Sequence, residues 1–298
     1  MGSIWTQLFE DTEALAAALP ACMGPGTDVV ALFSLGIAPE ELTPAVRSAS
    51  PSATVLLADC YGVLGHLPDQ GRNLELMESS RGMEYGGVGG DGGRAVVAVV
   101  FSGGGVAASS DSLPSENATS HMVVTAGGGA TSFLATHGSA VYYGGVAKGA
   151  YLLDRGRGQF ESVPHFFVST LASDATSSVG TTSFTSDAGG SVKQLLDRLP
   201  AGARVQAVGL FPCFMRGKNT YGENNVEPDA IGELLPEVPI FGMFCHGELG
   251  PGGCQGFDPD GRQALSACRQ HSMTSIVAVH AVRSLSTASR ARRRSSSR

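Results

Sequence analysis

The sequence predicts an α/β fold: mixed, glycine-rich β-sheets covered by helices, in two related halves. Three observations predict it. Short apolar runs alternate with helical patterns. Glycine is abundant, 41 of 298 residues, and has no period. One strand–helix–strand pattern occurs twice along the chain.

From Trp5 to Leu19, apolar residues recur near helical spacing and stop at Pro20, which predicts a helix. Thr27 to Leu35 is β-branched and continuously apolar, the pattern of a strand buried on both faces. Pro39 to Ser48 reads as a helix opened by Pro-Glu-Glu, and Ala53 to Ala58 as a second buried strand. Residues 82–130 carry glycine clusters around short Val-rich runs such as Ala95 to Phe101. Ser109 to Ser120 and Ser173 to Ser191 are polar and read as loops. Ser139 to Leu153 and Ser162 to Leu171 read as long strands. The last third predicts a helix at Val192 to Leu199, a strand at Arg204 to Phe211 and a helix at Glu227 to Leu235. Strands follow at Val238 to Phe244 and Met273 to Val282.

The repeated pattern ends each time in a similar hexapeptide, Cys60 to Gly65 (CYGVLG) and Cys245 to Gly250 (CHGELG). A duplicated α/β unit predicts this, and so does a recurring turn that closes a strand. Open α/β sheets bind ligands beyond the carboxyl ends of their strands, where both hexapeptides fall. The halves are expected at 1–135 and 136–285, followed by a basic tail at 286–298.

Net charge is −7, and the five arginines of the tail conceal a body at −12. An acidic body is a poor partner for a phosphate backbone, so no nucleic acid is expected. No apolar run reaches the length of a transmembrane segment, and no secretory leader is read. Six widely spaced cysteines do not form a disulfide framework, and the expected location is cytoplasmic or nuclear. Met1 to Thr6 fits the N-myristoylation pattern.

Three stretches carry a resemblance: CFMRGKNTY (Cys213 to Tyr221), VEPDAIGELLPEVPIFGMFCHGELGP (Val226 to Pro251) and QHSMTSIVAVHAV (Gln270 to Val282). Over the roughly 70 residues these stretches span (213–282) the chain resembles the C-terminal part of the FIST-domain family. Cys213, Arg216, Gly217, Asp229, Pro239, Gly242, Gly247, Glu248 and Gly250 match its pattern. LLADCYGVLG and YYGGVAKGA resemble its N-terminal part more loosely. The resemblance implies first, as in the family's F-box-linked members, a non-catalytic recognition protein that selects protein substrates for ubiquitin-dependent proteasomal degradation, with ubiquitin-ligase components and a protein substrate as partners. The alternative it implies is a stand-alone intracellular sensor domain that binds a small, amino-acid-like ligand. One predicted helix precedes Thr27, where an F-box needs several.

Arg216 and Glu248 are the charged pair that stands out, each in a glycine turn after a buried strand. An Arg fork suits a carboxylate and a Glu suits an ammonium, so together they can hold an amino acid. They can equally pair with one another. Cys213, Gly217, Cys245, His246, Gly247 and Gly250 complete the expected ligand site. Cys60, Cys213 and Cys245 read as small buried hydrophobes, Cys254 as an exposed thiol, and His280 as a core residue. No metal-ligand spacing, P-loop, nucleophile elbow or zinc-protease motif occurs, so no metal, cofactor or catalysis is expected. Gly87 to Gly92 spells GxGxxG but does not open a helix.

Overall fold

The computed structural model describes residues 3–24, 26–47, 52–77, 93–103, 105–110, 118–127, 141–171, 177–254 and 268–283. The basic tail, Gly2, the GxGxxG run and the expected boundary near residue 135 lie outside them.

The described strands form three six-stranded sheets. The first unit begins with β1 (Ser3–Phe9) and α1 (Thr12–Cys22), where one helix was expected. Asp11 separates them, its carboxylate accepting from the Ala14 amide at 2.7 Å as a helix cap. β2 (Thr27–Leu35), α2 (Pro39–Arg47) and β3 (Thr54–Asp59) follow, and β2 and β3 pair in parallel. The hairpin β4 (Gly62–Leu67) and β5 (Arg72–Met77) then leaves the sheet. β6 (Ala95–Ser102) returns antiparallel between β1 and β2.

The same plan recurs twice. In the second unit, β8 (Ala118–Ala126) and β9 (Val141–Ala147) are parallel. The hairpin β10 (Gly149–Asp154) and β11 (Gln159–Ser162) leaves. β12 (His165–Leu171) lies between β7 (Val106–Ser109) and β8. In the third, β14 (Ala203–Pro212) and β15 (Ile240–Met243) are parallel. β16 (Glu248–Gly250) and β17 (Arg269–His271) leave, and β18 (Ser275–Arg283) lies between β13 (Ser177–Phe184) and β14. Helices α3 (Ala188–Leu196), α4 (Lys218–Tyr221) and α5 (Val226–Leu234) belong to this unit.

Each departing hairpin completes another unit's sheet. β4–β5 extends the third sheet beyond β15, β16–β17 extends the second beyond β9, and β10–β11 extends the first beyond β3. The exchange is cyclic, so the described chain is a ring of three topologically equivalent units. The sequence echo marks the first and third. A cut near residue 135 would separate β8 from β9, which pair within one sheet.

Burial follows strand parity. On β2, Val29, Ala31, Phe33 and Leu35 face a central core shared by all three sheets. Val30 and Leu32 face the layer formed with α1 and α2. Burial on both faces is why these strands read as unbroken apolar runs. In the centre, Phe33, Phe211 and Phe241 meet with ring centroids 6.3–6.4 Å apart. α3 and α5 cover the outer face of the third sheet.

Candidate functional site

After β3, β9 and β15 the chain makes the same turn: Cys60-Tyr61-Gly62, Ala147-Lys148-Gly149 and Cys245-His246-Gly247. Hydrogen bonds establish the equivalence. The Lys148 amide donates to the Asp59 carbonyl at 2.8 Å, and the His246 amide donates to the Val146 carbonyl at 2.9 Å. The Val146 amide donates to the Gly247 carbonyl and the Phe244 amide to the Gly62 carbonyl, both at 2.9 Å. The three turns therefore hold one another in a ring. Tyr61, Lys148 and His246, their middle residues, come together: the Tyr61 and His246 rings are 5.9 Å apart, and Lys148 Nζ lies 5.2 Å over the Tyr61 ring.

Cys60 and Cys245 occupy matching core positions, and the third equivalent is Ala147. Each thiol donates to the carbonyl two residues before it, Ala58 and Met243. Burial pushes both thiols well above their ordinary pKa. The alanine shows that the position needs a small residue, as expected for packing cysteines. Cys254 is half-buried, like Cys22 and Cys268. His280 is buried on β18, its Nε2 3.2 Å from the Tyr143 hydroxyl, and burial lowers it to about 4. His271 lies 3.2 Å from the Gly250 carbonyl oxygen.

The remaining expected residues lie in the third unit. Cys213 and Cys245 form a parallel bridge just beyond β14 and β15. Arg216 is 1% exposed and does not pair with Glu248. Its Nε donates to Glu227 Oε1 at 2.6 Å, and its Nη1 to the carbonyls of Thr185 and Met273 at 2.6 and 3.0 Å. Its Nη2 donates to the Tyr221 hydroxyl. The guanidinium also lies 5.4 Å from the ring centroids of Phe184 and Tyr221. Glu227 is completed by the Tyr221 and Ser275 hydroxyls, both at 2.6 Å. Four of five Arg216 donors are thus engaged inside the protein. This is a buried clasp, and breaking such a pair typically costs about 3–5 kcal/mol.

Glu248 is fully buried, and its two oxygens differ. Oε2 accepts from the Thr274 amide at 3.2 Å and the Thr274 hydroxyl at 2.8 Å. Oε1 is buried and accepts no N–H or O–H hydrogen bond; besides Thr274, only the weak thiol donor of Cys213 reaches the carboxylate among the described residues. Burial raises its pKa, opposed by the Thr274 bonds, the Cys213 thiol and the Arg216 charge. Arg216 and Glu248 therefore occupy one neighbourhood, linked through residues 273–275 rather than to each other. Cys213 is also raised, mainly by burial. Gly217, Gly247 and Gly250 are close-approach positions: a Cβ would meet Glu75, Gln270 and Ile276 at 3.1, 2.3 and 2.6 Å. His246 is exposed, on the ring of turns.

The equivalent positions show what the fold requires. Glu248 corresponds to Val63 and Ala150, which follow Gly62 and Gly149 as Glu248 follows Gly247. Two of three units build this corner without a carboxylate. Sequence reasoning missed Tyr61, Lys148 and Phe214. The signal was present in the sequence as Tyr-Gly, Lys-Gly and His-Gly, each at a strand end.

Compared with models of known protein families the chain matches none, and no curated protein sequence matches it. Among the described residues, no helix is long and apolar enough to cross a membrane, and no group of His, Cys, Asp and Glu is arranged to hold a metal ion.

Proposed function

We propose that the protein is a non-catalytic recognition protein of the FIST type, a sensor whose third unit binds a small ligand at Glu248. The carrying observation is the carboxyl group with one oxygen fixed by Thr274 and the other buried with no N–H or O–H donor, only the weak Cys213 thiol beside it. An unmet buried acceptor costs about 1–3 kcal/mol, and Val63 and Ala150 stand at the equivalent corners without it. The expense is explained by a ligand that brings an N–H or O–H donor, such as the ammonium of an amino acid. Arg216 holds the binding loops in place instead of touching the ligand.

Thermal unfolding against a panel of amino acids and small metabolites tests this. A ligand at 100 times its Kd stabilises by about 2.7 kcal/mol, a shift of roughly 5 °C or more for a chain of this length. The shift is expected to vanish in Glu248→Gln, which keeps the shape but removes the charge and, with its amide oxygen held by Thr274, sets an NH2 donor where Oε1 stood. A shift that survives in Glu248→Gln, or none with any ligand, counts against the reading.

A second reading is selection of a protein for ubiquitin-dependent proteasomal degradation, as in F-box only protein 22. Met215 and Met273 favour it. Both are large exposed apolar side chains, 41% and 48%, in loops of the FIST-like stretches. It predicts capture of ubiquitin-ligase components with a substrate, lost in a Met215→Ser, Met273→Ser double variant.

A further inference from the structure

We propose that Glu75 is a proton-operated latch on the Glu248 site: neutral, it keeps the Arg216 clasp closed, and ionised, it lets the clasp open. The inference rests on the Glu248 reading for what the latch controls, and it adds a regulator supplied by another unit.

The path begins on the hairpin that the first unit lends to the third. Glu75 lies on β5 and is 5% exposed. Its backbone amide donates to Asn225 Oδ1 at 2.7 Å. Its Oε1 lies against Gly217, 3.1 Å from where a Cβ would stand, and Met77 Sδ is equally near that point. Gly217 and Asn225 both adopt positive φ, +70° and +63°. Glu75 therefore touches both ends of the segment 217–225. Arg216 immediately precedes this segment. Its partners Tyr221 and Glu227 lie within the segment and just after it. The clasp in turn grips both neighbours of Thr274. Arg216 Nη1 donates to the Met273 carbonyl, and the Ser275 hydroxyl donates to Glu227 Oε2. Thr274 is the residue that holds Glu248. The path from Glu75 to Glu248 is thus a contiguous network, the kind that can carry coupling between two sites.

The other units show that this hairpin position needs no acid. Glu75 pairs with Leu64 as Ser162 pairs with Tyr151 and Gln270 with Leu249. Ser162 and Gln270 are exposed, whereas β5 packs against α5.

Charge decides the state in which the latch holds. Among the described residues, Oε1 of Glu75 accepts no hydrogen bond. From α5, Glu227 and Asp229 face it, and both oppose its ionisation. Arg216 is paired with Glu227, and Arg72, Glu223 and Glu233 act on Asp229. On β4, His66 is 3.0 Å from Asn73 Oδ1. On α4, Lys218 is half-buried and Tyr221 is bound into the clasp. Burial, ahead of the two carboxylates, pushes Glu75 up to about 7 while the latch is closed. When the segment lifts and water reaches the group, its pKa returns to the ordinary 4.5. Opening then releases a proton, so the opening equilibrium grows as pH rises from about 4.5 to about 7 and levels off above. Because the Arg216 clasp holds the binding loops, Glu248 is set for its ligand at the lower pH and freed at the higher.

Residue-resolved hydrogen exchange of the full chain, followed by NMR from about pH 5 to about pH 8 and corrected for intrinsic rates, tests this without any ligand. The reporters are the amides of Thr274, which donates to Glu248, and of Tyr221, which donates to the Gly217 carbonyl. Leu32, in the middle of the first sheet, is the reference. At about pH 8 both reporters are expected to exchange about tenfold or more faster than Leu32. Their opening equilibrium is expected to grow roughly 50-fold across the range. Glu75→Gln is expected to remove about tenfold or more of that growth. What remains belongs to Glu248, which burial also raises. Protection at Thr274 that matches Leu32 at every pH would show that Glu75 is freed only by global unfolding, and overturns the latch. Growth that survives whole in Glu75→Gln overturns it too. A metabolite shift abolished by Glu248→Gln, with a Thr274 amide indifferent to Glu75→Gln, sinks this inference alone. Exchange that follows Glu75 while no small molecule shifts the unfolding temperature supports the latch and counts against the ligand reading alone.

Discussion

Glu75 lies on β5 with its Oε1 buried and without a partner, 3.1 Å from where a Cβ would stand on Gly217. Burial pushes its carboxyl up to about 7, and Glu227 and Asp229 on α5 add to the rise. In the unfolded chain the group ionises near its ordinary value of about 4.5. Between these values the unfolded state releases a proton that the folded state keeps. Stability therefore falls as pH rises from about 4.5 to about 7, by roughly 3 kcal/mol. Glu75→Gln removes the penalty. The variant is expected to match the parent at about pH 4 and to exceed it by roughly 2–3 kcal/mol at about pH 8, read from urea unfolding. A difference independent of pH would contradict this account. The lesson of Arg216 is similar. Its type and its glycine turn mark it in the sequence, but its partner is Glu227, eleven residues on, and not Glu248, the partner the sequence left open. Residue type is written in the chain, whereas pairing depends on how α5 packs.

At the scale of elements, buried strands were the most legible, because burial on both faces leaves an unmistakable apolar run. Thr27–Leu35 lies where expected, as do the strand at 203–212 and the helices at 39–47 and 226–234. Three stretches were misread. Ser173 to Ser191, read as a loop, carries β13 (Ser177–Phe184) and the first turn of α3, because β13 pairs with β18 about a hundred residues away. Trp5 to Leu19 is a strand followed by a helix, because β1 pairs with β6, some ninety residues away. Ser139 to Leu153 is two strands, because Lys148 bonds to Asp59 and passes the chain from the second sheet to the first. Gly242 shows how tightly one element can be specified. Its φ is +154°, and a Cβ would stand 1.9 Å from the Leu210 carbonyl oxygen on the parallel neighbour. Gly144, its counterpart in the second unit, stands 2.0 Å from that of Val123 in the same way. Gly242→Ala is expected to cost about 2 kcal/mol or more, because the β14–β15 ladder must open. Thermal unfolding measures it, and a cost under about 0.5 kcal/mol would show that the ladder shifts freely.

At the scale of the molecule, each unit holds a neighbour by lending it a hairpin. Unit three keeps β4–β5 from unit one and gives β16–β17 to unit two. A cut between residues 172 and 176, made at an inserted protease site, separates the chain covalently but not the sheets. The two fragments are expected to co-elute as one folded particle and to part only in denaturant. Fragments that separate in native buffer would show that the exchanged hairpins contribute little. The same ring places Tyr61, Lys148 and His246 together, from three turns far apart in sequence.

The sequence by itself determined the α/β class, the buried strands, the pattern shared by the first and third units, though assigned to two halves, and the residue types of the third unit's loops. Each of these follows from local period, capping or spacing, and such signals lie within about twenty residues of chain. The tertiary structure alone decided the second unit's place in the ring, the hairpin exchange, the Arg216–Glu227 clasp, the unmet oxygen of Glu248 and the meeting of the three turns. These depend on which strand edge each hairpin reaches. An edge presents only backbone N–H and C=O groups, which are the same for every sequence.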